Sequence, residues 1–391
     1  MIENGIAVGK LGLGQSPFPV PEPVVRALIA NAAEKDYLPV AGLRELRNAV
    51  AVFHRHRDGL SSMADDIVIG PGSKELMFLL QLVCAGDLLI PSPSWVSYAP
   101  QADLVGKKTR WIGTSPQNGY RLEPDALASA ASDAPAGSIL ILNYPSNPTG
   151  TSYSVAELEA LAAVARKCEL IVLSDEIYGE LHFEGNHASI ALQYPEGTIV
   201  SAGLSKWCGA GGWRLGTFAF PAELADVRRA LVAAASETFT SVSAPIQYAA
   251  ITAFTPSVEI DAYLDRSRAV LKGLATWSVE TLAAAGVTCP MPEGGFYLFA
   301  DFSAHREALA KRGITTSSAL CDAVLEEARV AFLPGNAFGR AGDELTARLA
   351  FVDFDGAEAL KGDDAIDDAF LRARCPRVIA AVESIVDWLA S

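Results

Sequence analysis

Basic side chains are scarce in this sequence. Its 391 residues include 31 lysines and arginines against 46 aspartates and glutamates, so the formal net charge is −15 at neutral pH. Phosphate contacts to nucleic acid or to an anionic membrane need clustered Lys and Arg, so this balance argues against either as the main partner. Only ten residues are lysines. A lysine in an unusual setting is therefore worth examining.

Long apolar runs and metal-binding clusters are also missing. Even residues 76–90 are interrupted by Gln81 and Asp87, whereas a membrane span needs about 20 apolar positions. The six cysteines and five histidines are scattered without a C-x-x-C pair, which predicts free thiols and no metal site. Residues 1–5 lack the basic start and apolar run of a secretory signal. We therefore expect a soluble, cytoplasmic protein.

Short apolar runs alternate with helical patterns between about residues 65 and 220. The runs are residues 67–69, 88–90, 138–142, 170–173, 198–201 and 215–220. Continuous hydrophobicity is typical of strands buried on both faces, as in a parallel sheet. Helices are predicted at 73–83 and at 154–167, the second opening with a capping box from Ser154 to Glu157. This alternation predicts a large, doubly wound, mostly parallel α/β domain with ligands at the carboxyl ends of its strands.

The two ends of the chain have different patterns. Residues 11–23 are rich in Gly and Pro, which indicates an extended arm. Residues 257–285 predict one long helix, followed by strand candidates at 295–300 and 348–351 and helices at 316–328 and 367–389. We therefore predict an N-terminal arm (1–40) packing with the small domain and a partner subunit, a large domain (41–275) and a smaller α+β domain (276–391).

Three polar segments follow predicted strands, where a doubly wound fold would place its ligand. The first contains Lys206 and Arg214 in the glycine-rich stretch 201–216. A lysine at the end of a buried strand is a setting for a desolvated amine that forms Schiff bases, and Arg214 could pair with a phosphate. The second is the turn cluster 143–150, which contains Asn147, and the third is 174–178, with Asp175 directly after an apolar run.

Each of these residues also has a simpler interpretation when it is taken alone. An isolated lysine such as Lys206 is usually solvated, and Asp175 could be a helix cap. Asn147 could belong to an ordinary turn, Trp95 to a core or interface, and Arg348 to a structural ion pair. The position of Lys206 between an apolar strand and a glycine run favours a catalytic role over that of a solvated surface lysine.

Taken together, the segments resemble the class I and II aminotransferases among the fold type I pyridoxal phosphate enzymes. Residues 203–216 match the lysine motif of that family, and 143–150 and 175–178 match two others. Five more segments align with motifs of the family, in the expected order along the chain: 37–43, 70–74, 91–95, 292–297 and 348–351. The resemblance spans roughly residues 10–390 and implies the aspartate aminotransferase-like fold. One departure is Gly203, where many aspartate aminotransferases have a phosphate-binding serine.

The resemblance implies pyridoxal 5′-phosphate as the cofactor and assigns three catalytic residues. Lys206 would hold the cofactor as a Schiff base and move the substrate proton. Asp175 would face the pyridine nitrogen and keep it charged, and Tyr178 would hydrogen-bond the phenolic oxygen of the ring.

The remaining roles also come from the resemblance. Cofactor-binding residues would be Gly72, Ser73 and Lys74 at a helix N-terminus, Trp95 stacked on the ring, Asn147 on the phenolic oxygen, Ser205, and Arg214 on the phosphate. Arg348 would bind the substrate α-carboxylate, with Asn147 and the backbone of Gly14 beside it. Tyr37 would reach the cofactor phosphate of a neighbouring subunit, which implies a homodimer with shared active sites.

The sequence thus predicts an enzyme that transfers an amino group between an L-amino acid and a 2-oxo acid in ping-pong half reactions. A β-eliminating lyase on the same fold remains an alternative, because it would use the same residues. A regulatory protein with a fused DNA-binding module is disfavoured, because the first 40 residues lack a basic helix-turn-helix pattern. No arginine in the sequence is an evident partner for a distal substrate carboxylate.

Overall fold

The computed structural model describes residues 7–391, so the prediction made from residues 1–5 lies outside the described residues. The strands in chain order are β1 Gly9–Lys10, β2 Ile67–Gly70, β3 Leu88–Ser92, β4 Thr109–Gly113, β5 Ile139–Asn143, β6 Ile171–Asp175, β7 Thr198–Gly203, β8 Gly216–Ala219, β9 Tyr297–Asp301, β10 Val330–Ala331, β11 Leu333–Pro334 and β12 Thr346–Ala350.

The helices follow the same order. They are α1 Glu22–Ala30, α2 Arg44–Asp58, α3 Ser73–Val83, α4 Tyr98–Leu104, α5 Pro124–Ala131, α6 Val155–Lys167, α7 Ala225–Thr238, α8 Ala244–Ala253, α9 Val258–Ala284, α10 Arg306–Lys311, α11 Ser317–Glu327, α12 Gly356–Ala359, α13 Asp368–Arg374 and α14 Pro376–Ala390.

A seven-stranded sheet in the order β2-β8-β7-β6-β5-β3-β4 forms the centre of the larger part of the chain. From β7 to β4 every neighbouring pair is parallel, whereas β8 runs antiparallel to both β2 and β7. Within β5, Ile139 and Ile141 pack against α3 and α7 on one face, while Leu140 and Leu142 pack against α5 and α6 on the other. Burial on both faces explains the continuous apolar runs and confirms the predicted doubly wound α/β fold.

The carboxyl ends of the parallel strands bring the predicted functional segments to one edge of the sheet. Asn143 at the end of β5 pairs in register with Asp175 at the end of β6, and Asp175 pairs with Ser201 of β7. The chain leaves β7 at Gly203 and reaches Lys206 three residues later. Helix α3 begins three residues after β2, so its N-terminus opens at the same edge.

A second, antiparallel sheet has the order β11-β12-β9, and a short parallel pair joins β1 to β10. The long helix predicted at 257–285 is α9, and the predicted boundary at residue 275 falls within it. The domain boundaries at 40 and 275 therefore stay predictions.

Two local expectations were wrong. The single helix expected at 367–389 is two helices, α13 and α14, separated at Cys375. Pro376 lacks the backbone N–H that would continue α13, and it begins α14 in the position where proline is tolerated. The extended arm ends before 23, because α1 starts at Glu22 with Pro23 in its first turn. A proline-rich segment can therefore lead directly into a helix.

Candidate active site

A cavity of about 600 Å³ lies at the carboxyl edge of the large sheet, between that sheet and β11–β12. Nearly all of the predicted site residues line it: Gly14, Ser73, Lys74, Trp95, Asn147, Asp175, Tyr178, Ser205, Lys206, Arg214 and Arg348. Gly72 lies directly beneath Arg214. Tyr37 is 89% exposed and is not among the lining residues of this chain. The fold thus brings together residues that are more than 300 positions apart in the sequence.

Lys206 projects into the cavity from the loop after β7. Its Nζ donates a hydrogen bond of 2.8 Å to the carbonyl oxygen of Gly14 and lies 5.6 Å from the ring centroid of Tyr178. Burial lowers the pKa of Lys206 to about 8, and the positive charge of Arg348 acts in the same direction. An amine with such a pKa is partly uncharged near neutral pH and can act as a nucleophile.

Asp175 ends β6 and is buried in the wall of the cavity. Its Oδ2 accepts a hydrogen bond of 2.5 Å from the hydroxyl of Tyr98, and its Oδ1 accepts one of 3.3 Å from Ser201 Oγ. Burial raises the pKa of Asp175 to about 6, while these two hydroxyl groups and the nearby Lys206 partly offset the effect. The carboxylate is thus mostly ionised at neutral pH and faces the same cavity as the lysine.

The N-terminus of α3 and the side chain of Arg214 form one end of the cavity. Gly72 has a φ of +86°, and a Cβ atom there would lie 2.1 Å from Nη2 of Arg214, so only glycine fits beneath this guanidinium. Arg214 Nη1 donates to the carbonyl oxygen of Gly211 at 2.9 Å, while the side chain stays exposed to the cavity. Free backbone N–H groups at a helix N-terminus beside a guanidinium suit a phosphate.

Arg348 of β12 lies at the opposite end and is only 4% exposed. Its Nη1 donates to Oδ1 of Asn147 at 3.0 Å and its Nη2 donates to the carbonyl oxygen of Gly12 at 2.6 Å. Its buried Nε has no hydrogen-bond partner within residues 7–391, and no carboxylate of that range forms an ion pair with it. A buried guanidinium without a carboxylate partner is arranged to receive an anion from outside the chain.

Two further residues, Tyr297 and Asn143, support the site. Tyr178 and Tyr297 place their hydroxyl oxygens 2.9 Å apart, and the Tyr297 ring lies 4.6 Å from the Arg348 guanidinium carbon. Asn143 accepts from the backbone N–H of Asn147 at 2.7 Å and donates to the backbone oxygen of Asp175 at 2.8 Å. The Asn143 side chain therefore fixes the distance between the turn that contains Asn147 and the end of β6 at Asp175.

The sequence interpretation assigned no role to Tyr98, Tyr297 or Asn143. Tyr297 and Asn143 lie within motifs that the sequence analysis used, and Tyr98 follows Trp95 by three positions. Their proximity to the motif residues was the available signal. Their partners, however, come from distant strands and could not be read locally.

The charge balance of the cavity is positive although the chain is acidic. Lys74, Lys206, Arg214 and Arg348 line it together with one acidic residue, Asp175. Among residues 7–391 no cluster of three or more His, Cys, Asp or Glu side chains could hold a metal ion. Over the same range, no helix is both long and apolar enough to cross a lipid bilayer. A cationic cavity that contains a lysine with a lowered pKa suits an enzyme that handles anionic ligands.

Comparison with known proteins identifies the family. The family model for aminotransferase class I and II matches residues 7–353. The aspartate aminotransferase of Bacillus subtilis is 31% identical over 339 residues, covering 84% of each chain. The aspartate/prephenate aminotransferase of Thermus thermophilus is 31% identical over 345 residues, covering 87% of this chain and 86% of the relative.

Solved structures give the same result for the fold. The aspartate aminotransferase from Thermus thermophilus with maleate superimposes with a TM-score of 0.85 at 27% identity, covering 99% of this chain and 93% of that one. The aspartate aminotransferase from Thermotoga maritima gives a TM-score of 0.82 at 28% identity, covering 100% and 94%. The chain therefore belongs to the class I and II aminotransferase family, and it is an enzyme that transfers amino groups. These comparisons give no support to the elimination alternative.

Proposed function

We propose that this aminotransferase uses pyridoxal 5′-phosphate, held by the cavity residues described above, to interconvert an L-amino acid and a 2-oxo acid. The observation that carries the proposal is the placement of Lys206. Its Nζ has a pKa lowered to about 8 and opens on a cavity where Asp175, Arg214 and Arg348 occupy separate walls. A reactive amine, one buried acid and two separate anion sites are the groups that this cofactor and an amino acid together require.

The residues present fit the cofactor and the substrate. The turn at Gly72 leaves room for the Arg214 guanidinium above the N-terminus of α3. A Cβ atom at Gly72 would fill that space. At the opposite end of the cavity, the Nε of Arg348 has no hydrogen-bond partner within residues 7–391. It can therefore donate a hydrogen bond to a second anion. In this proposal Ser73, Lys74 and Arg214 hold the phosphate, and Trp95 covers the ring.

Bound pyridoxal phosphate supplies an electron sink that stabilises negative charge at the substrate Cα. Asp175 keeps a proton on the ring nitrogen, because a carboxylate beside a nitrogen base favours its charged form. The Lys206 amine would act as the base that takes the proton from the substrate Cα and, in the opposite direction, as the acid that gives a proton to that carbon. Tyr178 and Asn147 donate hydrogen bonds to the phenolic oxygen of the ring.

Arg348 binds the α-carboxylate through its planar guanidinium, and Asn147 holds that guanidinium in place. Gly14 adds a backbone donor to the same carboxylate. Relatives of this chain are named for aspartate and for prephenate, so we propose aspartate as the first donor to test, with 2-oxoglutarate as the acceptor.

We propose that the enzyme works as a homodimer in which the partner subunit's Tyr37 completes each site. The high exposure of Tyr37 in the single chain supports this proposal, because tyrosine is enriched at protein interfaces. The cytoplasmic location stays a prediction.

Substitution of Lys206 by alanine tests the proposed function. We expect wild-type protein supplied with the cofactor to absorb in the visible range and to convert an amino acid and a 2-oxo acid. Lys206→Ala should lose the lysine-linked absorbance and at least about 10³-fold in turnover. Wild-type transamination by Lys206→Ala would refute the role of Lys206.

The reaction type is tested separately. Wild-type enzyme is incubated with amino acids that carry a β-leaving group, with no acceptor present. Release of pyruvate and ammonia would establish the elimination alternative instead of transamination. We expect sustained turnover only when a 2-oxo acid is present, because ping-pong transfer without an acceptor stops after one half reaction.

A further inference from the structure

Tyr98 contacts the central acid of the site, although none of the sequence motifs gave it a role. It is the first residue of α4 and only 1% exposed, and its hydroxyl donates a 2.5 Å hydrogen bond to Oδ2 of Asp175. This bond is much shorter than the 3.3 Å bond from Ser201 Oγ to Oδ1. Tyr98 is therefore the principal side-chain donor to this carboxylate.

The segment that carries Tyr98 also contacts two other walls of the cavity. The Tyr98 ring meets the Trp95 ring edge-on, with centroids 5.2 Å apart and planes at 83°. One turn further along α4, Gln101 Nε2 donates to the backbone oxygen of Lys74 at 2.8 Å, in the first turn of α3. Gln81 Nε2 in turn donates to Gln101 Oε1 at 3.3 Å. Residues 95–101 thus connect Trp95, which is proposed to cover the cofactor ring, with Asp175 and with α3, whose N-terminus is proposed to bind the phosphate.

We propose that Tyr98 is a positioning residue for amino transfer, which orients Asp175 through Oδ2 and keeps it ionised so that its remaining acceptor capacity serves the cofactor ring nitrogen. This inference rests on the proposed function, because it assumes that the ring nitrogen lies against Asp175. It assigns to Tyr98 no contact with substrate.

The electrostatic consequence has a definite direction. A hydroxyl that donates to a carboxylate stabilises its charged form, so Tyr98 works against the burial that raises the pKa of Asp175. The other groups that face Asp175 are Ser201, the backbone N–H of Ile177, Lys206 and Tyr178. Of the influences on Asp175, burial alone opposes its ionisation. Without the Tyr98 hydroxyl, the pKa of Asp175 should move further towards neutral pH.

Tyr98→Phe removes this hydroxyl and keeps the ring that packs on Trp95. We expect kcat to fall about 10- to 100-fold, the range for losing one hydrogen bond to a charged group, with KM for the amino acid within about threefold of wild type. The acid limb of the pH–kcat profile should move up by about one pH unit, and the visible spectrum of the bound cofactor should titrate with the same displacement.

Tyr144→Phe is the matched control. Tyr144 is also fully buried, and its hydroxyl oxygen lies 2.9 Å from Ser174 Oγ, one residue before Asp175, and accepts from the backbone N–H of Ile190. A general loss of packing near the end of β6 would affect both variants. We expect Tyr144→Phe to retain the wild-type pH profile and spectrum, so equal shifts in the two variants would overturn the proposal.

Two further measurements keep the test decisive. Tyr98→His retains a donor and should recover part of the lost kcat, and it replaces Tyr98→Phe in the comparison if the latter does not fold. In cofactor-free protein, the carboxyl carbon of Asp175 is titrated by NMR, and Tyr98→Phe should raise its midpoint. An unchanged midpoint would overturn the coupling of Tyr98 to Asp175. Wild-type protein that neither binds the cofactor nor transaminates would instead refute the proposed function.

Discussion

Burial moves the two central ionisable groups of the cavity towards their neutral forms. It lowers the pKa of Lys206 to about 8 and raises the pKa of Asp175 to about 6. The chain has only ten lysines, and this one is placed where its charged form is disfavoured. The effect prepares Lys206 as a nucleophile, but burial of the two charged groups reduces the free energy of unfolding of the cofactor-free protein.

Lys206→Met should therefore stabilise the cofactor-free protein at neutral pH. The pKa of Lys206 is about 8 in the folded chain and has the ordinary value of 10.5 when unfolded. Below pH 8 the fold holds a charged amine that burial disfavours, at a cost of about 3 kcal/mol at most. This cost decreases as pH rises from 8 and is gone above 10.5. Urea unfolding of both proteins at pH 6.5 and at high pH measures the difference.

The control is Lys272→Met. Lys272 pairs with Glu184 on the surface, with about half of its side chain exposed, so its replacement should change the free energy of unfolding by less than about 1 kcal/mol at either pH. The expectation fails if Lys206→Met and wild type unfold at the same urea concentration at pH 6.5.

At the scale of elements, the sequence pattern within a segment predicted strands and helices. It did not predict contacts between side chains that are far apart in the sequence. The buried strands β5 and β6 were evident because they are apolar on both faces, and α6 because Ser154 and Glu157 form its capping box. Edge strand β4 went unpredicted because it is buried mainly at Ile112. Tyr98 looks like an ordinary apolar helix residue until Asp175, from another strand, lies beside its hydroxyl.

The close packing of β8 against the start of α3 leads to a prediction about phosphate binding. A Cβ atom at Gly216 would lie 2.1 Å from the backbone nitrogen of Ser73. Gly216→Ala should displace the first turn of α3, where the phosphate is proposed to bind, and weaken pyridoxal phosphate binding about tenfold or more. Pyridoxal, which lacks the phosphate, should bind with a much smaller change. Fluorescence titration with both compounds measures the ratio.

Gly342→Ala serves as the matched substitution, because a Cβ atom there would meet nothing within 4 Å. It should leave both dissociation constants unchanged. If Gly216→Ala weakens pyridoxal and pyridoxal phosphate equally, the N-terminus of α3 is not the phosphate site.

At the scale of the whole molecule, a net charge of −15 coexists with a cationic cavity. Lys74, Lys206, Arg214 and Arg348 all open on this one space, whereas most of the other basic side chains pair with acids on the surface. The composition argued against a polyanionic partner, and it could not reveal a small anion site. A short-range positive region is compatible with an acidic surface, because salt screens charges beyond about 10 Å.

The shared active site of the proposed dimer can be tested by mixing two defective chains. Lys206→Ala lacks the reactive amine, and Tyr37→Ala should bind the cofactor weakly, so each should have low activity at limiting cofactor. A mixed dimer would contain one intact site, with Lys206 from one chain and the partner subunit's Tyr37 from the other. Equal mixing, with statistical exchange, should therefore restore about a quarter of the wild-type sites.

The matched control for this experiment mixes Tyr37→Ala with the double variant Tyr37→Ala/Lys206→Ala. Those mixed dimers retain one Lys206 but no Tyr37, so activity should not rise. Sequential purification through different affinity tags on the two chains establishes that they have exchanged. A lack of recovery in the first mixture, with exchange demonstrated, would mean that Tyr37 acts within its own subunit or not at all. Recovery there and not in the control would place Tyr37 across the dimer interface, where its 89% exposure in the single chain leaves it free to reach.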